Sequence, residues 1–325
     1  MKKTSVMKKL AVILLGVMLL SLFAGCAPQD TGPKIGIIQY MSHPSLDNCY
    51  TGIDNALNAT GKDYNIDRQI GSANSADSDC VSYAKNMVNK NYDVIIAIAT
   101  PAAKAAFAAT EDTDISVIFC AVSDPVGAGL VIDPADPGYN CSGTSDVLDL
   151  QAQLNLILAF QPQVKKIGVL YTSSEENSLA NLSNFKTLCE AAGIELVAKA
   201  VQNASDIPAA ADALASQVDC INNFTDNNVV QNLSVVMNAA QKYNIPVYGS
   251  EVEQLKSGCL AAVSIDYVAL GEATGEMAVA VLNGTDAGML SVKTITDAVP
   301  VYNPAVLEAL GLTLPEQYKD IEAVE

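Results

Sequence analysis

The 325-residue sequence predicts an α/β protein with two Rossmann-like lobes, each built on a parallel sheet and joined by a hinge of several strands. Three observations lead to this prediction. Short apolar segments alternate with helix-length segments, which is typical of parallel βαβ units. The same order of segments occurs twice along the chain. The length that remains after an N-terminal leader is sufficient for two separate cores.

Each copy of the pattern contains five segments in the same order: a strand, a helix and three further strands. In the first copy these segments lie at 34–40, 48–59, 64–70, 93–98 and 115–119. In the second copy they lie at 166–171, 179–192, 194–201, 219–221 and 245–248. Because two similar sets of βαβ units indicate two sheets rather than one large sheet, we expect two lobes of similar architecture.

The lobes are predicted to be discontinuous in sequence. The chain should pass to the second lobe near 142–149, and a strand at 259–265 precedes a helix-like segment, 269–282, where it should cross back. A last strand near 298–302 should cross once more. We therefore assign 34–145 and about 266–290 to the N-terminal lobe, and 146–265 and about 291–325 to the C-terminal lobe. Lobes joined in this way hinge about a central cleft.

The N-terminal segment predicts export and lipid attachment. Four lysines precede an uncharged run of 14 residues, 10–23, which is shorter than the roughly 18 needed to span a bilayer. The following Leu-Phe-Ala-Gly-Cys resembles a bacterial lipobox, with phenylalanine where leucine is usual. We predict that residues 1–25 are a lipoprotein signal peptide, that Cys26 carries the lipid, and that 26–33 form a tether. An ordinary secretory signal with an incidental cysteine is the alternative.

The composition argues against several classes of protein. Residues 1–25 contain four lysines and no acid, so the formal charge of −18 becomes −22 without them, and such a chain repels nucleic acid. A single histidine and cysteine spacings without CxxC match no metal site, so we expect no metal and no cofactor. Nothing in the order of Ser, His and Asp or in the carboxylate spacing marks an active site. We therefore predict that the protein is not an enzyme.

Polar residues that follow the predicted strands mark the candidate site, because ligands bind at the carboxyl ends of parallel strands. The first lobe contributes His43, Thr100 and Asp124, and the strand that returns to it is followed by Asp266. The second lobe contributes hydroxyls, carboxylates and amides, namely Ser173, Ser174, Asn177, Thr225, Asp226, Asn227 and Glu251. The single arginine, Arg68, lies in a predicted strand away from these ends. A ligand carboxylate would therefore rest on hydroxyls and helix amides.

Thr100 and the acids each leave two interpretations open. Thr100 precedes Pro101, a pair typical of an N-cap and the first helical position, and a helix beginning there would direct free N–H groups into the cleft. Thr100 therefore either contacts the ligand or only caps its helix. The candidates for binding a ligand ammonium group are four carboxylates, Asp124, Asp226, Glu251 and Asp266. Their alternative role is that of solvated loop acids.

Six short segments occur in a consistent order along the chain: His43–Asp47, Ala97–Ala103, Val122–Val126, Leu170–Ser178, Thr225–Asn227 and Gly249–Glu251. Together they resemble ABC transporter substrate-binding proteins of the tryptophan/tyrosine importer type, which have the type I periplasmic-binding-protein fold. The similarity runs from about residue 34 to about residue 284. Asn223 and Phe224 depart from it, because a proline or another small residue is common there in the family.

The resemblance implies an extracytoplasmic, membrane-anchored receptor that closes over a small solute and delivers it to an ABC permease. Similar proteins bind aromatic amino acids, and we predict an aromatic or large apolar amino acid as the ligand. The expected partners are this ligand, the permease and, through Cys26, the lipid bilayer, and we expect a monomer. A ligand-sensing module of a membrane receptor is one alternative. A binding protein for a nucleoside or sugar is another, which stacking of Tyr40 or Tyr267 on the ligand would favour.

Overall fold

The computed structural model describes residues 32–295 and 298–324, so the predicted signal peptide, Cys26 and most of the tether lie outside the described residues. It contains a six-stranded sheet in a first lobe, and a four-stranded and a three-stranded sheet in a second. The predicted two-lobed α/β architecture is therefore confirmed.

The first lobe alternates strands and helices as predicted. Its elements in chain order are β1 (Lys34–Gln39), α1 (Pro44–Ala59), β2 (Asn65–Ile70), α2 (Ala76–Asn89), β3 (Val94–Ile98), α3 (Thr100–Thr110), β4 (Ser116–Cys120) and β5 (Cys141–Ser145). The strands pair in parallel in the order β5-β4-β3-β1-β2. Strands β3, β4 and β5 are buried along their whole length, which explains the continuous apolar runs of the first two.

The second lobe repeats this arrangement. Its elements are α4 (Leu150–Phe160), β6 (Lys166–Thr172), α5 (Glu176–Ala191), β7 (Glu195–Val201), α6 (Ile207–Ala215), β8 (Cys220–Asn222), α7 (Asn227–Gln231), α8 (Leu233–Tyr243), β9 (Val247–Tyr248), α9 (Val252–Lys256) and β10 (Ala261–Ser264). The parallel sheet has the order β7-β6-β8-β9, and a bridge between Gly249 and Ala262 continues it to β10. Two apolar clusters cover its two faces, with Val169 in one and Leu170 in the other.

The chain then returns to the first lobe through α10 (Tyr267–Leu282), which packs along α1. Glycines permit this close approach: a Cβ atom at Gly52 would lie 2.0 Å from the Val268 carbonyl oxygen, and one at Gly271 would lie 2.0 Å from that of Cys49. The next strand, β11 (Lys293–Thr294), pairs with β5. The first lobe therefore extends to at least Thr294, a little beyond the predicted 290.

The C-terminal segment completes the second lobe. Strand β12 (Val299–Tyr302) pairs antiparallel with β10, and after α11 (Pro304–Ala309) the strand β13 (Glu322–Ala323) pairs in parallel with β12. The chain thus passes between the lobes at 146–149, at 265–266, and between β11 and β12. The first passage was predicted to begin near 142, but 141–145 form β5. This strand was missed because its residues are small and mostly polar although all are buried.

The seven cysteines in the described part of the chain are free thiols and all are buried. Cys120 and Cys220 lie on β4 and β8, where each packs in an apolar core. Among the residues that the structure describes, none of the helices combines the length and apolar character needed to cross a bilayer.

Candidate ligand-binding site

A cavity lies between the lobes where the parallel strands of both sheets end, and we call it the interlobe cavity. It contains about 330 Å³ of space outside protein atoms, but it is narrow, and the centre of a water molecule fits into only about 10 Å³ of it. Its walls come from both lobes. It lies where the rule for parallel sheets predicted the site.

Five predicted site residues line the interlobe cavity: His43, Thr100, Asn177, Thr225 and Asn227. Four of them carry a buried polar atom that has no hydrogen-bond partner among the described residues: His43 Nδ1, Thr100 Oγ1, Asn177 Oδ1 and Thr225 Oγ1. Buried polar atoms in folded proteins are nearly always paired. Four unpaired atoms around one cavity therefore indicate the binding of a polar ligand.

Two strained alanines also line the interlobe cavity. Ala99 follows β3 with φ 81° and ψ 154°, and Ala121 follows β4 with φ 57°. The first of these conformations is adopted almost only by glycine, and such strain is found mainly at functional sites. Sequence reasoning missed both residues, because an alanine carries no functional group that would single it out.

The structure contradicts the interpretation of Thr100 as a helix cap. Helix α3 begins at Thr100 itself, and its N-cap is Ala99, with no side-chain capping bond. The Thr100 hydroxyl is buried, lines the interlobe cavity and caps nothing. The N-cap assignment was therefore wrong by one residue, and the hydroxyl is left to face the cavity.

The acid that lines the interlobe cavity is Asp146, which was not predicted. It follows β5, and its two carboxylate oxygens accept hydrogen bonds from Ser123 Oγ at 2.9 Å and from the Tyr267 hydroxyl at 2.8 Å. Burial raises the pKa of Asp146 above its ordinary value. The same rule that found the other residues would have found Asp146 if β5 had been recognised as a strand.

Asp226, predicted to meet a ligand ammonium group, is instead held by the protein. Its carboxylate accepts hydrogen bonds from the Thr172 N–H at 2.6 Å, Thr172 Oγ1 at 2.8 Å, Ser178 Oγ at 2.6 Å and the Val229 N–H at 2.9 Å. It is buried and does not line the interlobe cavity. Asp226 therefore caps α7 and ties it to β6 and α5.

The other three predicted acids also have local roles. Glu251 is buried and caps α9 by accepting from the N–H groups of Glu253 and Gln254, and burial raises its pKa to about 7. Asp266 is exposed and caps α10. Asp124 is exposed and accepts from the Gly127 N–H, which closes a turn. None of the three lines the interlobe cavity.

The predicted hydroxyls Ser173 and Ser174 are exposed. Ser174 lines a wider polar groove with about 1050 Å³ of space outside protein atoms, which also runs between the lobes and includes Tyr40 and Asn203. This groove lies at the β2 and β7 edges of the two sheets. Ser173 lines neither space, so of these two predicted residues only Ser174 lies between the lobes.

A buried acid, Glu175, organises the amides of the second lobe. One of its carboxylate oxygens accepts from the Asn227 N–H at 3.0 Å, from Asn227 Nδ2 at 2.6 Å and from Asn177 Nδ2 at 3.2 Å, and the other accepts from the Asn228 N–H at 3.1 Å. Burial, and next the charge of Asp226, raise the pKa of Glu175 above its ordinary value. Glu175 thus holds the side-chain amides of Asn177 and Asn227, which line the cavity, in fixed orientations.

Direct contacts hold the lobes together around the interlobe cavity. His43 Nε2 lies 3.2 Å from Asn227 Oδ1, and Gln231 Nε2 donates to the Ser42 carbonyl oxygen at 3.3 Å. Lys104 and Glu176 form an ion pair across the cleft. Because these pairs join residues of different lobes, they can exist only when the lobes are close together.

Two hinged lobes that enclose a polar cavity define a receptor that closes over a small solute. Residues 34–322 match the family described as ABC transporter substrate binding protein, and the chain belongs to this family. Its members bind solutes and are not enzymes, which confirms the prediction of a non-enzymatic role. Substrate-binding proteins of ABC importers act outside the cytoplasm and serve a membrane permease.

The relatives include proteins of similar length. The chain is 36% identical over 321 residues to the tyrosine-binding protein of Clostridioides difficile (strain R20291). The alignment covers 94% of this chain and 92% of that protein. A solved ABC domain from Streptococcus pneumonia in complex with L-Trp is 36% identical with a TM-score of 0.86, covering 91% of this chain and 100% of that one.

A third structure bears on the arrangement of the lobes. The ligand-free, open structure of a substrate binding protein with adhesive properties from Clostridium difficile is 37% identical, covers 90% of this chain and 99% of that one, and has a TM-score of 0.67. Since this identity is close to that of the L-Trp complex, sequence divergence does not explain the lower score.

Proposed function

We propose that this chain binds an aromatic amino acid in the interlobe cavity and delivers it to an ABC permease. The observation that carries the proposal is the set of unpaired buried polar atoms around a cavity that also contains one carboxylate. Relatives at 36% identity support the ligand class, since one is a tyrosine-binding protein and another was solved with L-Trp. Neither a sugar nor a nucleoside is favoured by these relatives.

The charges around the cavity suit an α-amino acid. Asp146 is the acid among the lining residues, and each of its oxygens accepts one hydrogen bond, which leaves lone pairs for an ammonium group. Burial raises its pKa, so a bound cation would stabilise the ionised form. We therefore assign the ligand ammonium group to Asp146.

The ligand carboxylate has to be bound by neutral donors. The described residues that line the cavity include neither lysine nor arginine. Helices α1 and α3 both begin at the cavity, with Ser45, Leu46 and Thr100 in their first turns, and neither has a side-chain cap. Free N–H groups at helix N-termini bind anions. We assign the carboxylate to the N–H groups in the first turn of α3 and to the Thr100 hydroxyl, because β3, which leads into α3, lies closer to β5 and Asp146 in the sheet than β1 does.

The cavity is too narrow for an aromatic amino acid without adjustment, since water-sized space within it is only about 10 Å³. Binding therefore requires the lobes to separate, admit the ligand and close again around it. Leu46 and Val230 then provide apolar surface for the ligand ring.

Fluorescence tests this proposal, because the sequence contains no tryptophan. The chain from Ala27, refolded to remove carried-over ligand, is titrated into L-tryptophan, and we expect a saturable blue shift of emission that tyrosine reverses. Melting curves should confirm it, since a ligand at 100 times its dissociation constant stabilises by about 2.7 kcal/mol. Absence of any shift and of any rise in melting temperature with all aromatic amino acids would contradict the proposal.

We also propose that lipid on Cys26 anchors the protein to the membrane. The basis is the lipobox-like sequence that ends in this cysteine. Cys26→Ser should move the protein from the membrane fraction to the soluble extracytoplasmic fraction, whereas Cys80→Ser should not. Equal membrane association of the two variants would refute the anchor.

A further inference from the structure

The amide orientations beside the interlobe cavity follow from groups whose hydrogen-bonding roles are unambiguous. Asn177 Nδ2 lies 3.3 Å from the Thr225 carbonyl oxygen, which can only accept, so this atom is the donor. Backbone N–H groups of Asn227 and Asn228 donate to the two oxygens of Glu175. Oε2 of Glu175 accepts from two unambiguous donors, the Asn227 N–H and Asn177 Nδ2, so a proton on this carboxyl group lies on Oε1. The Asn227 side chain therefore directs its Nδ2 toward Oε2 at 2.6 Å. Asn227 Oδ1 consequently points away from Glu175.

This orientation determines the tautomer of His43. Its Nε2 lies 3.2 Å from Asn227 Oδ1, an oxygen that can only accept, so Nε2 carries the proton. Burial lowers the pKa of His43 to about 4, so the imidazole is neutral near pH 7. Nδ1 therefore holds a lone pair and no proton. That lone pair is buried and unpartnered on a residue that lines the cavity.

His43 and the acid assigned to the ammonium group belong to different parts of the cavity. Asp146 follows β5 and His43 lies beyond β1, and β4 and β3 lie between these strands in the sheet. Three interstrand spacings amount to about 14 Å between the strand axes. Both residues line the interlobe cavity, and we infer that a ligand with its ammonium group at Asp146 extends its side chain along the cavity toward His43.

We propose that His43 Nδ1 determines specificity by accepting a hydrogen bond from a ring N–H or O–H of the ligand, with Glu175 and Asn227 as positioning residues. This inference rests on the proposed function and narrows it. The rings of tyrosine and tryptophan can donate a hydrogen bond to His43 Nδ1. Phenylalanine has no ring donor and leaves this atom buried and unpaired. A site built to hydrogen-bond a ligand group rejects the analogue that lacks it. We expect a preference on the order of 30-fold or more, as an unpaired buried acceptor implies.

Ligand pairs test the inference on the unaltered sequence. Calorimetric titration of the chain from Ala27, which contains every described strand and helix, compares tyrosine with phenylalanine and tryptophan with its 3-benzothienyl analogue. The analogue replaces the indole N–H by sulfur and keeps the shape. We expect each donor-bearing ligand to bind on the order of 30-fold more tightly. Equal affinity within both pairs would overturn the inference while leaving the proposed function intact. Failure of all four ligands to bind would overturn both.

Variants of His43 locate the effect. His43→Leu also removes the contact with Asn227 and should weaken both ligands, but it should weaken tyrosine much more than phenylalanine and so abolish the preference for tyrosine. His43→Asn, which keeps an acceptor near Nδ1, should retain part of the preference. If His43→Leu weakens tyrosine and phenylalanine equally, His43 does not contact the ring donor and the inference is wrong.

The positioning role has a spectroscopic test, because the sequence contains a single histidine. In ¹⁵N-histidine-labelled protein we expect one imidazole protonated at Nε2, with an Nδ1 resonance that moves upon binding tyrosine and much less upon binding phenylalanine. Glu175→Gln should give a mixture of tautomers and a reduced tyrosine preference. A native spectrum protonated at Nδ1 would overturn the assignment.

Discussion

The two lobes use their buried acids in different ways. In the first lobe, Asp146 lines the interlobe cavity, with one hydrogen bond to each oxygen. In the second lobe, Glu175, Asp226 and Glu251 lie behind the cavity wall and accept several N–H or O–H bonds from the protein. The first lobe therefore presents a carboxylate to the ligand, and the second presents neutral amides that buried carboxyl groups hold in place. An acid near a binding site thus contributes either to affinity or to stability, according to whether the protein already satisfies it.

The largest expected effect is on stability, at Asp226. Replacement by alanine leaves four buried donors unpaired, so Asp226→Ala should lower the free energy of unfolding by about 3 kcal/mol or more. The matched control is Asp266→Ala, which removes an exposed helix cap and should lower it by about 1 kcal/mol. Urea unfolding measures both. Equal losses in the two variants would contradict the internal role of Asp226.

The next effect is on affinity, at Asp146. Asp146→Asn removes the negative charge at the cavity and should weaken amino-acid binding about 100-fold, since truncation of a buried charge pair is worth about 2–5 kcal/mol. The melting temperature should change little, because the variant also removes the unfavourable burial of a carboxylate. Asp149→Asn, at an exposed helix cap nearby, is the control and should bind normally. Calorimetry distinguishes the two, and unaltered binding by Asp146→Asn would refute the assignment.

A smaller effect on affinity is expected at Thr100. Because its hydroxyl caps nothing, Thr100→Val should leave the free energy of unfolding nearly unchanged and weaken binding about 10-fold. Thr110, at the other end of α3, bonds to the carbonyl oxygens of Ala106 and Phe107, so Thr110→Val should show the opposite pattern. A stability loss of about 1 kcal/mol without weaker binding in Thr100→Val would restore the capping interpretation.

The smallest effect concerns pH and the acids of the second lobe. Glu251 keeps its proton in the folded state up to about pH 7, whereas the unfolded chain loses it near pH 4.5. Stability therefore falls as the pH rises through this window, by about 1 kcal/mol between pH 5 and pH 6. Glu251→Gln has no such proton to lose, so its melting temperature should rise relative to wild type over this interval. The control is the exposed Glu308→Gln variant, whose melting temperature should change with pH as that of wild type does. If the melting temperature of Glu251→Gln also changes in this way, the raised pKa of Glu251 is contradicted.

The sequence predicted the fold better than the site, for physical reasons. Buried parallel strands need continuous apolar residues, so β1, β3 and β6 were recognisable. Strand β5 consists of Cys-Ser-Gly-Thr-Ser, and only the structure reveals that it is buried. The residue after it, Asp146, was missed for the same reason.

The rule that ligands bind beyond the carboxyl ends of parallel strands identified five residues of the cavity. The rule could not assign roles to the acids. Asp146 and Asp226 both follow strands, and nothing local distinguishes them. The difference is set by Ser178 and Val229, which reach Asp226 from two helices. Contacts of this kind depend on how helices pack, which composition and periodicity do not encode. The strain at Ala99 and Ala121 is equally a property of the assembled lobe.

The return of α10 to the first lobe has a consequence for the order in which the chain acquires its structure. Synthesis proceeds from the N-terminus, and α1 emerges more than two hundred residues before the helix that covers it. The second lobe up to β10 is already complete in sequence by then, and it can assemble while α1 still lacks its partner. The Gly52 and Gly271 contacts, which admit no side chain, cannot form until α10 has been made. The lobe begun first therefore stays incomplete while most of the second lobe is synthesised, and the C-terminal strands β12 and β13 then complete the second lobe.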